Sequence, residues 1–284
     1  KPQAALSVDF EHFTHLPAYR GASGTTERPA VGLGGVTALL DALDGADAAA
    51  TFFTVGELAD EHPRVLQRIA AEGHEVGSHT QTHRHLSELD DDRRREELAR
   101  SKERLEAVAG EPVTGFRAPS FDVGPDHFGA LAATGYDYDS SVVACRSIPG
   151  WYGGEFDAER PTVASAVDPA APDGIAEVPV SVMPRLRLPL TGTWIRFFGV
   201  SYTILGMRLL ARRGIAPVLY VHPWELVDLP AVEGVPGRVY VRTGAYMRRA
   251  VRRILAEPFE FVTARTLADT VDDEPASPAG SDRS

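Results

Sequence analysis

The sequence predicts an α/β protein whose parallel sheet curls into a (β/α) barrel. Three observations carry this. Short apolar segments alternate with longer segments of helical period along most of the chain, the pattern of successive βα units. The length, 284 residues, is one at which such barrels are often a single domain. The residues able to do chemistry, Asp9, Glu11, His79, Arg117 and His222, fall just after predicted strands, where a (β/α) barrel gathers its reactive groups.

The elements follow in order. "AALSV" (4–8) is a buried strand, followed by a polar, Gly-rich loop to about Leu33. In "GGVTALLDAL" the residues Val36, Leu39, Leu40 and Leu43 share one helical face. "ATFFTV" (50–55) is a strand, and "GELADEHPRVLQRIAAEG" a helix interrupted near Pro63 and stopped at Gly73. "HEVGS" is a strand ending at a histidine cluster. "LDDDRRREELARSKERLEAVAG" is a charged helix whose acidic first turn suits the helix dipole. "VTGFRAP" is a strand, and "GPDHFGALAATG" a helix with Pro near its start and Gly at its end.

Residues 144–176 are rich in Gly and Pro and form an irregular excursion. "EVPVSV" (177–182) reads as a strand. "TWIRFFGVSYTILGM" is interrupted by Arg196, Gly199 and Ser201 and reads as a loop entering a packed helix. "APVLYVHPWE" is a strand ending at His222, "YMRRAVRRILAE" a helix and "FEFVT" the last strand. A single domain is expected over 1–268, and the acidic tail 269–284 is expected to be disordered because it has too little apolar surface to bury.

The net charge of −11 argues against nucleic acid as a partner, since phosphate binding needs a surplus of Lys and Arg. One cysteine, Cys145, excludes an internal disulfide and a Cys-rich zinc site. No run reaches the roughly 18 apolar residues that cross a bilayer. No export signal is visible, which favours the cytoplasm over the cell surface. Oligomeric state leaves no trace in the sequence.

"GSHTQTHRHL" holds three imidazoles, His79, His83 and His85. His79 and His83 are four apart, which on a helical turn puts both rings on one face. Two such imidazoles suit Zn²⁺ or a similar first-row ion with a carboxylate as third ligand. "SVDFEH" offers Asp9, Glu11 and His12 for that place. A hydrolase needs one acid on the metal and another to take a proton from water. His74 and His85 read as structural.

In their order, "SVDFEHF", "ATFFTVGELADEHPRVLQRIAAEGHEVGSHTQTH", "GFRAPSF", "YDYDSSV" and "VLYVHPWE" resemble the motifs of the polysaccharide deacetylases, the NodB-homology enzymes of carbohydrate esterase family 4. Within that family the likeness is to the group associated with exopolysaccharide synthesis, and it runs from about Ala4 to Leu267. It implies a distorted (β/α) barrel, commonly of seven strands. It implies that Asp9 is the general base, Glu11, His79 and His83 the metal ligands, Arg117 the residue orienting the base, and His222 the general acid. The usual adjacent aspartates are replaced here by Asp9-Phe10-Glu11. Tyr220 stands where the family has a Leu lining the acetyl pocket, and an oxyanion would be met by a backbone N–H near Ser120. His222 needs a carboxylate partner to stay charged, and Asp139 and Glu177 are the candidates. Trp224 and Glu225 either line the sugar site or pack the loop. Rings on the rim, Trp151, Tyr152 and Trp194, are candidates for stacking on sugars or for core packing.

The function so implied is removal of acetyl groups from N-acetylated sugars of a polysaccharide or glycan, with Zn²⁺, or Co²⁺ or another first-row ion, as cofactor. Three alternatives share the barrel: a hydrolase of cyclic amides or imides, an O-acetyl esterase, and a glycan-binding barrel without turnover. The last would predict loss of the base or the acid, and both Asp9 and His222 are present.

Overall fold

The structure, a computed structural model, describes residues 1–147 and 156–271. Trp151, Tyr152 and residues 272–284 of the acidic tail lie outside them. The strands are β1 (Gln3–Phe10), β2 (Thr51–Thr54), β3 (Glu75–Ser78), β4 (Gly115–Phe116), β5 (Tyr138–Asp139), β6 (Thr162–Val163), β7 (Ala176–Glu177), β8 (Val218–Val221) and β9 (Glu260–Val262). They form one sheet in the order β6-β7-β5-β4-β3-β2-β1-β8, with β9 also paired to β1. All pairings are parallel except that of β6 with β7. The curled parallel sheet of the expected barrel is present, with more and shorter strands than the seven expected.

The helices are α1 (Pro17–Arg20), α2 (Leu33–Asp44), α3 (Glu57–Glu61), α4 (Pro63–Ala71), α5 (Asp91–Ala109), α6 (His127–Ala133), α7 (Gly192–Phe198), α8 (Val200–Ala211), α9 (Ala245–Leu255) and α10 (Ala264–Ala268). Local signals set their ends. The Asp90 side chain accepts from Arg93 N–H at 2.9 Å and caps α5, which stops at Gly110 with φ 75. Pro63 opens α4, so the predicted interruption is the junction between α3 and α4.

Alternation along β1 decides what faces the site. Leu6, Val8 and Phe10 pack outward with Val36, Leu39, Leu40 and Leu43 of α2 in the main core. Each such buried Leu contributes about 1.5–3 kcal/mol. Ala5 points the other way, into a cluster with Phe53, Tyr138, Val178 and Val218 that α10 closes from below. By the same period of two, Ser7 and Asp9 point into the barrel.

Two segments depart from expectation. Of the stretch expected as a strand, 177–182, only Glu177 pairs regularly, in β7 (Ala176–Glu177). Pro179 has no N–H for a ladder, and Val180 and Val182 make single bridges instead. Ser181 N–H then donates to Val218 O at 2.9 Å, so this side of the barrel is spanned by isolated contacts. The stretch read as a loop before α8 is helix α7, and Gly199, at φ 89, separates the two. Arg196 does not break α7, because it is buried and paired.

Candidate active site

The polar ends of β1, β3, β4 and β8 meet at one mouth of the barrel, around a cavity of about 580 Å³ lined in part by Asp9, Glu11, His79, His83, Tyr220 and His222. Asp9 is the last inward residue of β1. Its Oδ1 accepts from Arg117 Nη1 at 2.7 Å, and the same nitrogen donates to Ser7 Oγ at 2.8 Å. Arg117 is fully buried, and two further bonds hold it: Nε to Ser140 O at 2.9 Å and Nη2 to Ser140 Oγ at 2.7 Å. The guanidinium also lies 4.2 Å from the centre of the Phe53 ring. The Asp9 carboxylate is therefore fixed in orientation, and its Oδ2 is turned toward His79, 3.9 Å from Nε2.

His79 follows β3. Its Nδ1 lies 2.7 Å from Arg117 O. A carbonyl only accepts, so Nδ1 carries the proton and Nε2 presents a lone pair to the cavity. Burial pushes the His79 imidazole down to about 4, and His83 adds to that against the pull of Asp9 and Glu11. His83 Nε2 contacts Glu11 Oε2 directly. Glu11 lies one step beyond β1 and faces inward like Asp9. Burial opposes its ionisation, but His83, then His222 and His79, hold its carboxyl well below the usual range. Ligand atoms of Glu11, His79 and His83, all buried, lie within 4.8 Å of one another. Of the three candidates for the third ligand, the structure brings Glu11 to both rings, gives Asp9 to Arg117, and turns His12 away.

The two histidines do not sit on a helical turn. They lie in a loop with Thr80 at φ 61 and His83 at φ 56, a left-handed conformation costly for these residues. The loop is held by its neighbours: Gly56 N–H donates to Thr80 O at 2.9 Å, Glu57 N–H to Gln81 O at 3.0 Å, and Arg20 Nη1 to His83 O at 2.9 Å. The rings still meet, with centroids 5.0 Å apart.

On the opposite wall stands His222, at the end of β8, with Nε2 3.7 Å from Glu11 Oε1. Its partner is neither Asp139 nor Glu177. Glu225 Oε2 accepts from His222 N–H at 2.9 Å and lies 3.4 Å from Nδ1. Arg196 Nε donates to Glu225 Oε1 at 2.8 Å, and Arg196 Nη1 to Val239 O at 2.9 Å. A Cβ on Gly192 would lie 1.9 Å from Glu225 Oε2, so only glycine lets α7 approach this carboxylate. Burial alone would lower the His222 pKa, but Glu225, then Glu11 and Asp9, raise it above the ordinary imidazole value. Burial likewise resists ionisation of Glu225, and Arg196, followed by His222, overcomes it and keeps that carboxyl low.

Asp139 and Glu177 are engaged elsewhere in the barrel. Asp139 accepts from Ser141 Oγ at 2.6 Å and lies 3.2 Å from His127 Nε2. Ser141 Oγ in turn accepts from Ala118 N–H at 2.8 Å, so this acid supports the turn after Arg117. Burial, and then the charge of Asp139, push the Glu177 carboxyl well above the usual carboxylate range. Trp224 stacks on His222 with centroids 4.9 Å apart and donates Nε1–H to Glu11 Oε1 at 3.1 Å. Tyr220 stands edge-on to Phe121 at 5.2 Å and to His222 at 5.1 Å. Ser120, at φ 56, lines the cavity with its hydroxyl 3.1 Å from His85 Nε2. Trp194 stacks on Phe198 of the same helix.

Sequence reasoning missed Glu225 as the partner of His222, and Arg196 as part of the site. A signal for Glu225 was available: an acid three residues after His222, with Pro between, has the spacing of a capping box. No local signal marks Arg196, whose partner is 29 positions away.

A carboxylate, Asp9, and an imidazole, His222, thus flank clustered ligand atoms at the strand ends of the barrel. Residues 32–138 match the family described as polysaccharide deacetylase, and residues 140–269 one described as domain of unknown function (DUF3473). Residues 32–138 thus carry the polysaccharide deacetylase domain that the motifs suggest. It is similar to a peptidoglycan-N-acetylglucosamine deacetylase of Bacillus cereus, 37% identical over 81 residues, 28% of this chain and 30% of that relative. It is also similar to a chitooligosaccharide deacetylase of Rhizobium leguminosarum bv. trifolii, 37% identical over 67 residues, 24% of this chain and 31% of the other. These alignments span about a third of the relatives' length. A solved structure from Mycobacterium smegmatis, assigned as a polysaccharide deacetylase, superposes with a TM-score of 0.66 at 25% identity, over 99% of this chain and 96% of its own.

The two matched regions share one site. His79, His83 and Arg117 fall in the first, Arg196, Tyr220, His222 and Glu225 in the second, and Asp9 and Glu11 precede both.

Proposed function

We propose that this chain removes acetyl groups from N-acetylated sugars of a polysaccharide or glycan, with a divalent metal held by Glu11, His79 and His83. The observation that carries the reading is the meeting of those three buried ligand groups between a carboxylate fixed by Arg117 and an imidazole paired with Glu225. Two imidazoles and a carboxylate, with one lone pair already aimed into the cavity, fit Zn²⁺ and also Co²⁺. Such an ion supplies a Lewis acid that polarises a carbonyl and eases ionisation of water.

The chain's own groups do the rest. Asp9 Oδ2 takes the proton of the water that attacks the acetamide carbonyl, while Arg117 keeps the carboxylate from rotating. His222 Nε2 gives a proton to the departing sugar amine. Its Nδ1 side, engaged by Glu225, keeps the ring from turning. Tyr220 and Phe121 form an aromatic wall beside His222, where the acetyl methyl would be excluded from water. Trp224 holds Glu11 by its indole N–H.

The test is acetate release from N-acetylglucosamine oligomers. Protein stripped by a chelator is expected to lose turnover and to regain it with Zn²⁺ or Co²⁺, and His83→Ala to lose metal and turnover together. Full turnover by protein verified to be metal-free would end the reading.

The pH profile tests the acid. A raised pKa means that the imidazolium persists to higher pH, and activity is lost as pH rises through that value. The His222–Glu225 pair stabilises the fold while both groups are charged, and that contribution falls away as His222 deprotonates on the alkaline side and as Glu225 takes a proton on the acid side. Glu225→Gln removes the charge that raises it, so the alkaline limb of the rate profile is expected to move to lower pH. An unmoved limb would detach Glu225 from this role.

A further inference from the structure

Outside the cavity, a second set of ligand atoms converges where the turn after β1 meets the junction of α3 and α4. His12 Nε2 lies 3.0 Å from His62 Nε2 and 3.3 Å from Glu61 Oε2, and His62 Nε2 lies 3.7 Å from that same oxygen. Two imidazole nitrogens and a carboxylate oxygen thus form a triangle of nearly equal sides. The point equidistant from its corners lies about 2 Å from each, the length of Zn–N and Zn–O bonds. A shared proton can join only two of the three atoms, whereas one cation at that point satisfies all of them. The neighbouring His15 shows the contrast. Its Nδ1 accepts from His12 N–H at 3.1 Å and its Nε2 lies 2.7 Å from Glu57 Oε1, so both nitrogens are committed.

We propose that His12, His62 and Glu61 form a second divalent-cation site, distinct from the cavity cluster, that takes a zinc ion. The His12 side chain is 5% exposed, His62 21% and Glu61 52%, so the site opens to solvent on one side and a fourth position is left for water. An ion there ties the turn that carries Glu11 to the α3–α4 junction, because His12 follows Glu11 directly. His12 stacks on His15 and His15 on His83, each at 5.6 Å between centroids, so the two clusters are separated by one intervening imidazole.

The test counts zinc ions. Chelator-stripped protein is titrated with ZnCl₂ by calorimetry, and metal per chain is measured after desalting. His62→Ala is expected to bind one zinc fewer than the unaltered protein, and Glu61→Gln to bind that same ion at least tenfold more weakly. His83→Ala is expected to retain the ion that His62→Ala loses. His62 and Glu61 reach solvent, and far-UV circular dichroism verifies that their variants fold. Equal zinc content in His62→Ala and unaltered protein would overturn the proposal. Loss of one ion in His62→Ala with none lost in His83→Ala would leave this site standing and count against metal in the cavity.

Discussion

Asp9→Asn is expected to lower turnover of N-acetylated oligosaccharides about 10²–10⁴-fold, the usual worth of a positioned general base. The substitution changes little in shape. An Asn oxygen in place of Oδ1 still accepts from Arg117 Nη1, now 2.7 Å from the carboxylate. What is lost is the ability to take a proton at the position facing His79. Metal content is expected to hold, since Asp9 lies outside the Glu11, His79 and His83 cluster. Measured as kcat at saturating substrate beside zinc content, a variant retaining more than about a tenth of the turnover would remove Asp9 from the role of base.

Arg117→Met is expected to cost about 3–5 kcal/mol, because removing one partner strands a buried charge. The stranded group is Asp9, which is 4% exposed. Ser7 Oγ and Ser140 Oγ lose a donor as well. For a chain of this size the melting temperature should fall by roughly 10 °C. The double variant Arg117→Met with Asp9→Asn should lose less than the two single losses added together, since it strands no charge. Arg117→Lys should rescue only part, because one ammonium cannot present the guanidinium fork that meets Asp9, Ser7 and Ser140 at once. Thermal denaturation of the four proteins decides it: additive losses would mean that the pair is not the unit described here.

Much of this was legible in the sequence. Period-two alternation in β1 and the apolar face of α2 follow from local residue order, and they bring Asp9 and Glu11 to the strand end. The motifs named Arg117 and His222 with the histidine pair. What failed did so where tertiary contact overrides local pattern. The His79–His83 spacing suggested a helical turn, but bonds from Gly56, Glu57 and Arg20 hold a loop with left-handed residues in its place. Arg196 looked like a break in an apolar run because its counter-charge, Glu225, is distant in sequence and near in space. Asp139 and Glu177 were chosen as acids near the right motifs, yet β5 and β7 point them at each other, at His127 and at the turn after Arg117.

The placement of β1 between β2 and β8, with β9 alongside, has a consequence for how relatives of this protein diversify. Cutting the gene between the two matched regions would leave one raw edge on β1 and another on β5, both inviting aggregation. Neither product would own a complete reaction centre. Recombination between cousins is thus constrained to exchange the whole unit, and novelty in substrate choice is expected in the mouth-lining segments around Ser120, Phe197 and Arg238.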